Sequence, residues 1–112
     1  MAGTHEDAVL IVELEKWGAL SGLAEAVGKV FSDDFDPETA ELNDPAVRLV
    51  LGFHETVGTL VKNDLLNRDL VYDWLWEAGV WERVGPAAVR AREKTGVAVL
   101  YENFEALAAG QR

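Results

Sequence analysis

Residues 44–62 read DPAVRLVLGFHETVGTLVK, and this stretch decides the fold. Asp44 is a good helix N-cap, because its carboxylate accepts from backbone N–H groups that the first turn leaves orphaned. Pro45 behind it has the fixed φ that suits the first helical position. At about 100° per residue, Ala46, Leu49, Val50, Phe53, Val57, Leu60 and Val61 fall on one broad face. Arg48, Glu55, Thr59 and Lys62 fall on the other. A long amphipathic helix follows, and its apolar side needs further helices to cover it.

Working toward the N-terminus, Thr4 with Asp7 three residues on has the form of a capping box, which starts a helix near His5. Within it Leu10, Leu14 and Trp17 share a face, whereas Leu20, Leu23, Ala24, Val27 and Phe31 define one rotated by roughly a third of a turn. A kink at Gly18 would reconcile the two. The β-branched run Val9 to Val12 could instead pair as a strand with Val97 to Tyr101, but two strands alone make a marginal sheet. Toward the C-terminus, Asn67 caps a helix from Arg68 to about Val84, and Gly85-Pro86 ends one helix and begins another. Thr95-Gly96 forms a further joint. After it Val97, Leu100, Tyr101, Phe104, Leu107 and Ala108 follow the spacing of a core-facing stripe up to Ala109. A straight run through Gly96 would put Arg90 and Glu93 on that stripe, so a bend is expected there. The expectation is one all-α domain over residues 1–112, a compact bundle of five or six helices with an acidic loop at 32–44.

Composition narrows the function classes. The 112 residues hold twenty Asp and Glu against ten Lys and Arg, a formal net charge of -10, and no cysteine. Phosphate binding needs clustered Lys and Arg, so nucleic acid is an unsuitable partner, and an anionic membrane would repel the chain similarly. The longest apolar runs fall far short of the ~20 residues that span a bilayer. The N-terminus is acidic where a secretory signal would be basic, which points to a cytoplasmic protein.

Motifs for chemistry come up short. In the acidic loop Asp33, Asp34, Asp36, Glu38, Glu41 and Asp44 suggest calcium. Laid on the calcium-loop template from Asp34, however, position six is Thr39 instead of glycine and position twelve is Pro45. Asp36 and Asp44 serve as N-caps instead. His5 and His54 lack the helical partners of a zinc or di-iron site, and a partly buried, hydrogen-bonded side chain is expected of His54. Gly22 to Gly28-Lys29 has one residue too many for a phosphate loop, and Ser21 is misplaced for a nucleophile turn. Thiol catalysis is excluded by composition. No catalytic residue, metal or cofactor is assigned.

The tryptophan-rich segment is more informative. On a continuous helix from Arg68, Leu70, Val71, Trp74, Leu75, Ala78 and Trp81 share one face, opposite a second apolar group of Tyr72, Trp76 and Val80. A helix apolar on both sides lies at the centre of its bundle, gives one face to a partner or a second copy, or lines a ligand pocket. Trp and Tyr suit a partner, because they bury large area at little entropic cost and keep a polar tip. Tyr72, Trp76 and Val80 are the candidate partner-binding residues.

Phe53-His54-Glu55, Gly58-Thr59-Leu60-Val61, the Asp64 to Leu70 connection, Trp81-Glu82, Pro86, Arg92 and Tyr101-Glu102-Asn103-Phe104-Glu105-Ala106-Leu107-Ala108 together resemble a bacterial family of small helical proteins known only as a domain of unknown function. The resemblance covers roughly residues 46–109. It implies a helical fold and brings no activity, cofactor or catalytic residue with it. Its polar members Glu55, Glu102 and Glu105, together with Arg90 and Arg92, are expected to pair at the borders of the bundle and fix its register. The function expected first is a non-enzymatic protein-interaction module, with a homodimer as one form. A helical domain binding or transforming a small molecule in a carboxylate, arginine and aromatic pocket is the alternative, and an acidic binder of a basic protein stands third.

Overall fold

The computed structural model describes residues 3–111. Six helices follow one another: α1 His5–Ser21, α2 Leu23–Val30, α3 Pro45–Lys62, α4 Arg68–Trp74, α5 Glu77–Thr95 and α6 Glu102–Ala109. Among the described residues there is no strand, so Val9 to Val12 is helical. The fold is an all-α bundle.

The central element is α3. Asp44 Oδ1 accepts from the backbone N–H groups of Ala46 and Val47, as its place before Pro45 predicts. The apolar stripe read from the sequence is buried at Val50, Phe53, Val57 and Val61, but a second stripe of Val47, Leu51, His54 and Gly58 is buried as well. With both stripes covered, α3 packs against α2, α5 and α6 at once. One core cluster joins α2, α3, α5 and α6 through Val30, Val50, Leu51, Val84 and Phe104. The other joins Leu14 of α1 to Phe53, Val57 and Val61, with Val71 of α4 beside them.

Four joints differ from the sequence expectations, each for a local reason. The first helix breaks at Gly22, whose φ of 81° lies in the left-handed region, and not at Gly18, which is buried against Leu23. Glycine alone adopts that φ without a steric penalty. As a result Leu20 points out instead of joining Leu23 and Val27, and the buried residues of α2 are Ala26 and Val30. The helix expected over Arg68 to Val84 stops at Trp74. Gln111 bridges the gap, its Oε1 accepting from Ala78 N at 2.8 Å and its Nε2 donating to Leu75 O at 2.9 Å. The C-terminal tail thus supplies the cap that Trp76 does not.

Pro86, expected to begin a helix, lies inside α5. The residue before proline normally avoids helical φ/ψ because its Cβ meets the proline ring, and Gly85 has no Cβ. Finally, Val97 to Tyr101 form a turn, and α6 starts only at Glu102. Tyr101 has a φ of 60° and gives no side-chain cap. Glu55 reaches across from α3 instead, its Oε1 accepting from Phe104 N at 2.9 Å and its Oε2 from Asn103 Nδ2 at 2.9 Å.

Candidate interaction surface

Polar chemistry inside the bundle centres on His54 and Glu77. The second buried stripe of α3 carries His54 inward, and the first turn of α5 carries Glu77 to meet it. His54 is 2% exposed and Glu77 is fully buried. Nδ1 of His54 is hydrogen-bonded to Oε1 of Glu77, while Oε2 has no hydrogen-bond partner among the described residues. The imidazole stacks on Phe104 at 4.8 Å between centroids and meets Phe53 edge-on at 5.4 Å. The pair ties α3 to the start of α5, where the carboxylate also favours the helix dipole. Sequence reasoning placed a hydrogen-bonded histidine here and missed Glu77, which lies on the far side of a helix break that no breaker residue signals.

The three candidate partner-binding residues do not share a surface. The break after Trp74 rotates them apart. Tyr72 is half-buried and its hydroxyl donates to Leu107 O at 2.7 Å; removal from water pushes its pKa up. Val80 is buried in the core. Trp76 is 64% exposed, and its ring lies back over Gly79 and stacks on Phe31.

Three arginines of α5 are engaged within the chain. Arg92 donates from Nε to Leu100 O at 2.8 Å, makes an ion pair with Glu105 at 2.9 Å and lies over the Trp81 ring. Of the expected border pairs this one forms directly, whereas Glu55 caps α6. Arg83 donates to the carbonyls of Val30, Ser32 and Phe35, and Arg90 to those of Pro37 and Ala40. The acidic loop is therefore held to α5 by its backbone, and its six carboxylate residues are all exposed. Among the described residues no group of three or more His, Asp and Glu is placed to hold a metal.

The property expected of the tryptophan-rich segment, apolar side chains on both faces of one helix, belongs to α1. Its inner face is Asp7, Leu14 and Gly18, all buried, flanked by the half-buried Leu10 and Ile11. Asp7 closes the capping box with Thr4 and also accepts from Asn67 N at 2.9 Å, anchoring the helix to the cap of α4. Trp74 donates to Glu15 at 2.7 Å on one flank, and Trp17 meets Phe53 at 5.2 Å on the other. On the opposite side Val9, Val12, Lys16 and Leu20 recur at spacings of three and four. Val9 is 49%, Val12 54% and Leu20 90% exposed. Beside this face lies an open groove of about 560 Å³ walled by Trp17, Leu49 and Phe53, with Arg48 at its edge.

A family model for a domain of unknown function, DUF4760, matches residues 7–111, and the chain belongs to that family. The match reaches well N-terminal of the residues that suggested it, and takes in α1 and the acidic loop. No curated protein and no solved structure is similar to the chain.

Proposed function

We propose that the chain is a non-enzymatic protein-interaction module that associates through the outer face of α1. The observation that carries this is the exposure of Val9, Val12 and Leu20 on a helix already packed on its other side. A chain with twice as many acidic as basic residues has polar side chains to spare for a solvated face. Such side chains meet water at Arg48 and Lys62 of α3 and at Glu82 and Glu93 of α5. Exposed apolar side chains grouped on one helix face mark a contact surface. The sequence expectation of a partner-binding helix is kept in kind and moved in place, since Val80 is core and Tyr72 is bonded to α6.

Substituting both Val9→Glu and Leu20→Glu tests it. Neither side chain supports the core, so the melting temperature should stay within a few degrees of the parent. Chemical cross-linking followed by mass spectrometry in a cell extract should show associations of the parent chain, with itself or with another protein, that the variant loses. The proposal fails if the variant keeps every association of the parent, or if the parent has none.

A further inference from the structure

Resting on that reading, we propose that the occupant of this face is a second copy of the chain, with the two α1 helices antiparallel across a two-fold axis. The outer face of α1 is complementary to itself in that orientation. Let the axis pass between positions 14 and 15, so that residue n of one copy faces residue 29 − n of the other, as an isologous contact requires. Val9 then faces Leu20 of the second copy, and Leu20 faces its Val9. Glu13 faces Lys16, and Lys16 faces Glu13.

Apolar residues therefore meet apolar residues at both ends, and opposite charges meet at the centre. Glu13 and Lys16 lie 3.2 Å apart within one copy, and their side chains are 61% and 65% exposed, free to share their charge with a second such pair. Other registers lose this match. A shift of the register by one residue brings Glu13 against either Glu15 or Trp17, and a parallel arrangement opposes Lys16 to Lys16. The polar centre thus fixes both register and direction, as buried polar positions do between paired helices. One helix face from each copy is a small interface, below the ~800 Å² per partner of a standard complex, so association in the micromolar range is expected.

The test uses the full chain in sedimentation velocity over a concentration series. The parent should move from monomer to dimer. Lys16→Glu sets four like charges at the centre and should weaken the dimer at least about tenfold. The swap of Glu13→Lys with Lys16→Glu should restore it, since the reversed pairs still match across the axis. A swap that stays as weak as the single variant overturns the register.

Direction is read with cysteines, because the chain has none of its own. Val9→Cys with Leu20→Cys should oxidise to a covalent dimer, whereas each single variant should not. Positions 9 and 20 are about 16 Å apart along one helix, too far for a bridge within a chain. Single variants that cross-link as readily as the double one overturn the antiparallel arrangement. A parent that stays monomeric, yet makes an association that Val9→Glu with Leu20→Glu abolishes, overturns the second copy and leaves the interaction surface standing. A monomeric parent without any such association overturns both.

Discussion

Removing the imidazole of His54 leaves a buried carboxyl group with neither oxygen partnered among the described residues, because Oε2 of Glu77 has no hydrogen bond to them to begin with. His54→Ala is therefore expected to lower stability by about 3–5 kcal/mol, read as a fall in the urea midpoint. Glu77→Gln keeps an oxygen and an amide in place and should cost less than half as much. Asp7 gives the molecule its clearest pH dependence. The backbone N–H of Thr4 holds its carboxyl below the usual carboxylate range, helped by Asn67 and the Thr4 hydroxyl and opposed by burial. A depressed folded pKa stabilises the fold above the unfolded value of 3.8, and that contribution is lost as pH falls through the folded one. Asp7→Asn should accordingly be less stable than the parent at pH 7, and the gap between them should close in urea titrations taken below pH 4. Half of Asp7's role is legible in the sequence, because Thr4 is three residues away. The bonds of Glu77 to His54, of Gln111 to Ala78 and of Glu55 to Phe104 span 23, 33 and 49 residues, and no local pattern carries them.

Among the elements, α3 shows most clearly why some helices can be read in advance and others cannot. Its start is set by Asp44 and Pro45, and its direction by an apolar stripe, all within its own residues. The break between α4 and α5 has no glycine or proline; it exists because Gln111 satisfies the backbone groups on either side, and a single-helix wheel drawn through it puts Tyr72, Trp76 and Val80 on a face that does not form. Pro86 misleads in the opposite direction, since a preceding glycine lets the helix run on. The crossing of α3 and α6 also depends on one residue type. A Cβ built on Gly58 would lie 2.6 Å from Asn103 O and 3.0 Å from Phe104 N, backbone atoms that cannot swing aside. Gly58→Ala raises helix propensity, yet should destabilise by about 1–3 kcal/mol as α6 is pushed outward. Because Glu55 caps α6 from the same helix, the tyrosine and tryptophan emission of the variant should shift well before the helical circular dichroism signal falls.

At the scale of the whole molecule, the acidic loop and the exposed apolar residues of α1 lie on different elements. The extents are 40 × 28 × 24 Å, and the acidic loop runs over α5 with its carboxylates outward, while the exposed apolar stripe runs along α1. Few of the twenty acids are neutralised within the chain. Beyond Glu13 with Lys16 and Glu105 with Arg92, the pairs of Glu38 with Arg90 and Glu41 with Lys94 stand at 4.0 and 3.9 Å, with exposed partners worth little. Arg83 and Arg90 spend their donors on backbone carbonyls instead, which fastens the loop without reducing its field. A net charge of -10 on so small a body opposes the folded state through self-repulsion. Salt shortens that repulsion to a Debye length of about 10 Å at 0.1 M, less than half the shortest dimension of the molecule. The melting temperature should therefore rise between low and physiological ionic strength, with sodium chloride and potassium chloride equally effective if screening is the cause. A fall with added salt would mean that the ion pairs matter more to the fold than the summed charge. The loop is the place to check this: Asp33→Asn with Asp34→Asn, at exposed positions without ion-pair partners among the described residues, should raise the low-salt melting temperature and flatten its rise with salt.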